Sequence, residues 1–221
     1  MPLKDNELLK LREDILKMAS LVEAAIDNAI KSLMTMDRAL AQMVSRNDHY
    51  VNAMDVRIDE ACIVLIALRQ PVARDLRFIT TAMKITTDLE RMADNAVSIA
   101  NRVIELPEEI PGFAIVRIPQ MKEIALGMLT DSVASFLSSD KGLAMDVITR
   151  DQLLDELNER LLNESVELMT KDAASIIPAS KISSISRYIE RIGDHATNIA
   201  EMVIYMVEGQ IIKHMKNNPS Q

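Results

Sequence analysis

Two acidic pairs with four-residue spacing are the residues of this chain best suited to chemistry. Glu90 and Asp94 form the first pair, and Glu190 and Asp194 form the second, one hundred residues later. In a helix this spacing puts both carboxylates on one face, where their repulsion costs roughly a few tenths of a kcal/mol. A cation held between such a face and a neighbouring helix would replace repulsion by ligation. Ligands that are all oxygen suit Mg, Ca, Mn or Fe better than Zn.

A second acidic row precedes each pair, again at helical spacing. The first row comprises Asp48, Asn52, Asp55 and Asp59, and the second comprises Asp151, Asp155 and Asn158. Asp48 matches Asp151 at an offset of 103 residues, so the two rows follow one repeated pattern. Acidic residues also flank the apolar seams of ordinary helical bundles. A plain helical scaffold whose acidic residues bind nothing is therefore an alternative interpretation.

Other catalytic patterns are weak. The sequence has no glycine-rich phosphate loop and no Glu-x-x-His pattern of the kind that di-iron bundle enzymes use. Cys62 lies among apolar residues, which predicts a packed core thiol, and we expect His195 to face solvent. Arg69, Arg74 and Arg77 could attract an anion at a helix junction, but pairing with nearby acids is the favoured interpretation.

The sequence places these acidic residues on amphipathic helices. Apolar residues recur at alternating steps of three and four, which predicts three long helices in the first half and three in the second. Seven of fourteen positions are identical between Glu90–Val103 and Glu190–Val203. Asp37 matches Asp140, and each predicts the N-cap of the second helix in its half. Gly193, which matches Ala93, predicts a close approach between helices.

This repetition predicts an all-α protein built as two tandem three-helix bundles. We expect the first bundle in residues 1–106, the second in residues 119–210, and a tail in residues 211–221. The segment "LPEEIPGFAIVRIP" (106–119) holds three prolines and a glycine, which predicts a linker over residues 107–118 with no helix in it.

Composition and charge narrow the classes of function. The formal charge of −8, without a basic cluster, argues against general nucleic-acid binding. The longest uncharged apolar run, residues 61–68, is too short for a membrane helix, so we expect no membrane insertion. A single cysteine excludes an internal disulfide, and with a polar N-terminus it favours the cytoplasm.

Several segments closely resemble one protein family. The segments "TTDLERMADNAVSIANRV" and "SRYIERIGDHATNIAEMV" are similar to the twin signatures of the PhoU family, regulators associated with bacterial phosphate transport. "IDEACIVLIALRQPVARDLRFITTAMKIT" and "YMVEGQ" also match the family in order. The resemblance runs from about residue 10 to residue 212 and covers both halves.

The resemblance implies a function that spacing alone does not give. It implies a cytoplasmic, non-enzymatic, homodimeric negative regulator of phosphate uptake and the phosphate-starvation response. Its partners would be the ATPase subunit of the phosphate ABC transporter and a sensor histidine kinase. Some family members bind multinuclear metal clusters through acidic motifs, so we expect such a cluster here, of Fe, Mn, Mg, Ca or Zn. Carried over to this chain, the ligands would be Glu90, Asp94, Glu190, Asp194, Asp151, Asp155, Asp55 and Asp59. A carboxylate-bridged metal-binding protein or metalloenzyme is the alternative.

Overall fold

A computed structural model describes residues 5–106 and 110–209, and these residues form six long α-helices without a strand. The helices are α1 Asp5–Thr35, α2 Arg38–Arg69, α3 Ala73–Ile104, α4 Gly112–Ser138, α5 Lys141–Lys171 and α6 Ile176–Glu208, with a short 3₁₀ helix at Ala173–Ser175 before α6. The predicted all-α fold is confirmed. The predicted tail, residues 211–221, lies outside the described residues.

The helices form two bundles of three. Helices α1, α2 and α3 pack against one another, and so do α4, α5 and α6. The bundles meet through α3 against α6 and α1 against α4, whereas α2 and α5 contact only their own bundle within the described residues. One hydrophobic core runs through both bundles. No described helix combines the length and the apolar character that crossing a membrane would need.

The turns between the first and second helices of each half are duplicates of one another. The Asp37 side chain accepts a hydrogen bond from the Leu40 N–H at 2.9 Å, and Asp140 accepts one from Leu143 at 3.1 Å. The preceding residues, Met36 and Ser139, both have a left-handed backbone, with φ of 52° and 57°. Both predicted N-caps are therefore confirmed.

The predicted absence of helix from the linker is wrong for its second part. Helix α4 begins at Gly112 and contains Pro119, so residues 112–118 are helical. Pro119 removes one backbone donor. The carbonyl that loses this donor belongs to Ile115, which is 53% exposed and so lies where water can hydrogen-bond to it. Burial of Ala114, Ile118 and Met121 against the core holds the segment in helical form.

Candidate functional site

The first acidic face, formed by Asp48, Asp55, Glu90 and Asp94, lies between α2 and α3. Burial raises the pKa of Glu90, and the charges of Asp94, Asp55 and Asp48 raise it further. Burial also raises the pKa of Asp94, with a contribution from Asp48. These shifts place two carboxylates of α2 close to the acidic pair of α3. Asp48 and Asp55 of α2 therefore face the same side of the first bundle as Glu90 and Asp94.

Asp48 is the carboxylate that the sequence-based ligand set omitted. Its Oδ2 accepts a hydrogen bond from Asn52 Nδ2 at 2.9 Å. Its Oδ1 is buried and accepts no hydrogen bond from any described residue. A buried carboxylate oxygen without a donor is costly, and a bound cation would remove that cost. Asp151 was in the predicted ligand set. Its sequence match to Asp48 could therefore have identified Asp48 as a further candidate.

The second acidic face lies between α5 and α6. Burial raises the pKa of Glu190, and the charges of Asp194 and Asp155 raise it further, against the opposing effect of Arg187 and Arg191. Asp151 is only 3% exposed and accepts a hydrogen bond from Thr197 Oγ1 at 3.3 Å. The duplicated sequence therefore produces a second acidic face, formed by Asp151, Asp155, Glu190 and Asp194.

The two faces are similar but not identical. Along α2 the repeated row reads Asp48, Asn52 and Asp55, whereas along α5 it reads Asp151, Asp155 and Asn158. Asn158 Oδ1 accepts a hydrogen bond from Ser186 Oγ at 2.7 Å. The amide and one carboxylate have thus exchanged places, so each face keeps four carboxylates in a different arrangement.

A groove of about 840 Å³ runs between α3 and α6, where the two bundles meet. It is lined by Arg91, Asp94, Asn95, Ser98, Asp151, Tyr188, Arg191, Asp194, His195, Thr197, Asn198 and Glu201. Asp94 and Asp194, one from each predicted pair, therefore line the same space. Arg91 and Arg191 add positive charge, so the groove has mixed polarity.

His195 does not face solvent as expected. Its side chain is 16% exposed, and its Nδ1 lies 2.8 Å from Asp88 Oδ1. Asn198 Nδ2 donates to the same oxygen at 3.3 Å. This polar contact joins α3 to α6, and therefore joins the two bundles. The repeat gave no signal for Asp88, because the matching residue in the second half is Tyr188.

The chemistry of these oxygen donors fits a hard divalent cation, but their placement fits less well. Within residues 5–106 and 110–209, no three His, Cys, Asp or Glu side chains are grouped as a metal site requires. Metal binding would therefore need side chains to change rotamer. Asp59 is not among the carboxylates that influence Glu90 or Asp94; it lies beside Cys62. Burial and the Asp59 charge raise the pKa of Cys62 to about 12, so this core thiol stays protonated.

This protein is therefore a duplicated helical-bundle protein with an acidic face on each bundle. The PhoU domain matches residues 15–103 and 118–203, which correspond to the two bundles. The chain belongs to the PhoU family.

Individual relatives agree with this assignment. A phosphate-specific transport system accessory protein PhoU homolog from Aquifex aeolicus is 44% identical over 209 residues, which is 95% of each chain. The crystal structure of PhoU from Pseudomonas aeruginosa covers 93% of this chain and 99% of its own, with a TM-score of 0.88 and 37% identity. The phosphate transport system regulatory protein PhoU from Streptococcus pneumoniae covers 95% and 99%, with a TM-score of 0.89 and 29% identity.

Proposed function

We propose that this protein is a non-enzymatic negative regulator of phosphate uptake and the phosphate-starvation response. It acts as a cytoplasmic adaptor between the ATPase subunit of a phosphate ABC transporter and a sensor histidine kinase, and it works as a homodimer. The supporting observation is the PhoU match to both bundles, together with relatives that are named phosphate transport accessory proteins.

The two acidic faces are the surfaces that we assign to regulation. We propose that each binds hard divalent cations, through Asp48, Asp55, Glu90 and Asp94 on the first bundle and through Asp151, Asp155, Glu190 and Asp194 on the second. Asp59 is a weaker candidate because it lies apart from Glu90 and Asp94. Mutual repulsion among these carboxylates and the buried Oδ1 of Asp48 support this proposal. A bound cation would supply positive charge to a face that is otherwise strongly negative.

A deletion strain with a phosphate-starvation reporter tests the regulatory function. We expect the reporter to stay on in high phosphate when the gene is deleted, and to be shut off again when the wild-type gene is restored. A reporter that responds normally to phosphate in the deletion strain would contradict the proposal.

Elemental analysis of the purified protein tests the metal proposal separately. We expect Asp94→Asn combined with Asp194→Asn to lower the bound metal, measured by inductively coupled plasma mass spectrometry after gentle purification. Glu159→Gln is the matched control, since Glu159 is an exposed acid on α5 outside the proposed ligand set. Equal metal content in the wild type, the double variant and the control would mean that the acidic faces bind no metal and are a plain scaffold surface.

A further inference from the structure

A cleft at one end of the molecule contains three arginines that the acidic faces do not involve. The cleft has a volume of about 460 Å³ and forms where the start of α1, the start of α3 and the end of α6 meet. Its lining, as far as the described residues show, holds Arg12, Arg74 and Arg77 with one acid, Asp75. The cleft is thus positive within a chain whose formal charge is −8.

In the part of the chain that the structure describes, these three arginines have no acidic partner, although the sequence suggested acid pairing for Arg74 and Arg77. Among the described residues none of the three forms an ion pair with a carboxylate. Arg69, at the same end of the molecule, shows the contrast: its guanidinium donates to both carboxylate oxygens of Glu7, at 2.7 Å and 3.0 Å. Among Arg69, Arg74 and Arg77, acid pairing within the described residues is therefore seen for Arg69.

Contacts with the protein hold two of the arginines in the cleft. Arg12 Nη1 donates to the Leu137 carbonyl, and Arg77 Nε donates to the Met206 carbonyl at 3.2 Å. The Arg12 guanidinium also lies 4.4 Å from the centre of the Phe78 ring. A guanidinium has further N–H donors beyond the one used here, so each side chain keeps donors for a ligand.

Arg12 and Arg74 are close enough for their positive charges to repel each other. Burial lowers the pKa of Arg12, and the charge of Arg74 lowers it further. Helix α3 begins beside the cleft, and its N-cap, Val72, makes no side-chain capping hydrogen bond. The start of a long helix favours a bound anion. An anion in the cleft would relieve the repulsion and receive hydrogen bonds from several directions.

We propose that this cleft binds a phosphate group, carried either by inorganic phosphate or by a nucleotide. Guanidinium groups recognise phosphate through paired hydrogen bonds, and a doubly charged anion matches three clustered arginines better than a single carboxylate does. The volume lies in the range of small-molecule sites. Leu8, Phe78 and Met206 give the cleft an apolar wall that could pack against an organic group. This inference does not depend on the proposed regulatory function.

Isothermal titration calorimetry of the full chain tests the site, with inorganic phosphate in one series and ATP in another at constant ionic strength. The variant is Arg74→Gln, because Arg74 is exposed and its loss leaves the core intact. The control is Arg46→Gln, which removes the same charge from an exposed position on α2 outside the cleft. We expect wild type and control to bind equally, and Arg74→Gln to bind about tenfold more weakly or worse.

The two series distinguish the sources of the phosphate group. Binding of inorganic phosphate identifies the free anion as sufficient, whereas binding of ATP alone identifies a nucleotide site. Arg77→Gln should weaken the same ligand, and circular dichroism shows whether that variant is folded. The proposal is overturned if neither ligand binds, or if Arg74→Gln binds as the control does.

Discussion

The close packing of Gly193 against Leu154 gives a sharp test of the duplicated architecture. A Cβ added at Gly193 would lie 2.4 Å from Leu154 Cδ2, well inside contact distance. Overpacking of this kind costs about 1–3 kcal/mol, and replacing a helical glycine by alanine regains about 1 kcal/mol. We therefore expect Gly193→Ala to lower the free energy of unfolding by about 1 kcal/mol.

The first bundle shows how the clash can be removed. There the positions that match Gly193 and Leu154 hold Ala93 and Val51, which are both buried and line the same cleft. Leu154→Val alone should cost about 1 kcal/mol, because it leaves a small cavity. The double variant reproduces the pair of the first bundle, so we expect it to be nearly as stable as wild type.

Urea denaturation of the four proteins measures this coupling. We expect the two single variants to lower the transition midpoint at an unchanged slope, and the double variant to restore it. The predicted coupling energy is about 1–2 kcal/mol. The two single variants each lose free energy of unfolding. If the loss in the double variant equals their sum to within about 0.5 kcal/mol, the idea that Ala93 with Val51 and Gly193 with Leu154 are equivalent packing pairs is refuted.

Three further predictions concern charge, capping and the thiol. The pKa of Glu190 is raised, so the folded protein holds that proton more tightly than the unfolded chain and the Glu190 charge opposes folding at neutral pH. Glu190→Gln, measured in a metal chelator, should therefore raise the free energy of unfolding at pH 7 by roughly 0.5 kcal/mol, and this gain should vanish below pH 4.5, the ordinary Glu pKa. Asp37→Ala and Asp140→Ala should each cost about 1 kcal/mol in urea denaturation, because each removes an N-cap. Cys62, with a pKa of about 12, should react with a thiol reagent at pH 8 only after the protein is denatured.

Each of these predictions has a clear opposite. A loss of stability in Glu190→Gln at pH 7 would mean that its carboxylate makes favourable contacts in the metal-free protein. An unchanged free energy of unfolding after removal of either cap would mean that the observed capping hydrogen bonds do not stabilise the helices. Rapid labelling of native Cys62 would mean that the core of the first bundle opens readily.

The features predicted well from sequence are those that depend on neighbours along one helix. Alternating steps of three and four apolar residues predicted the helices, and the matched aspartates at 37 and 140 predicted their caps. The burial of Cys62 was predicted from the apolar residues around it, and the close approach at Gly193 was predicted from the glycine itself.

The features that the sequence did not reveal depend on contacts between distant segments. Pro119 stays inside a helix because neighbouring residues are buried against helices that local sequence rules do not consider. His195 pairs with Asp88 only because α3 and α6 pack together. The arginine cleft joins the beginning of α1 to the beginning of α3 and the end of α6, and no local pattern relates these three places.

Direct binding to the two partners tests the central claim about function. Surface plasmon resonance with this chain immobilised would measure its affinity for the purified transporter ATPase subunit and for the cytoplasmic part of the sensor kinase. We expect saturable binding to both, with dissociation constants in the micromolar range expected of a transient signalling contact. The absence of saturable binding to either protein, with and without divalent metal, would contradict it.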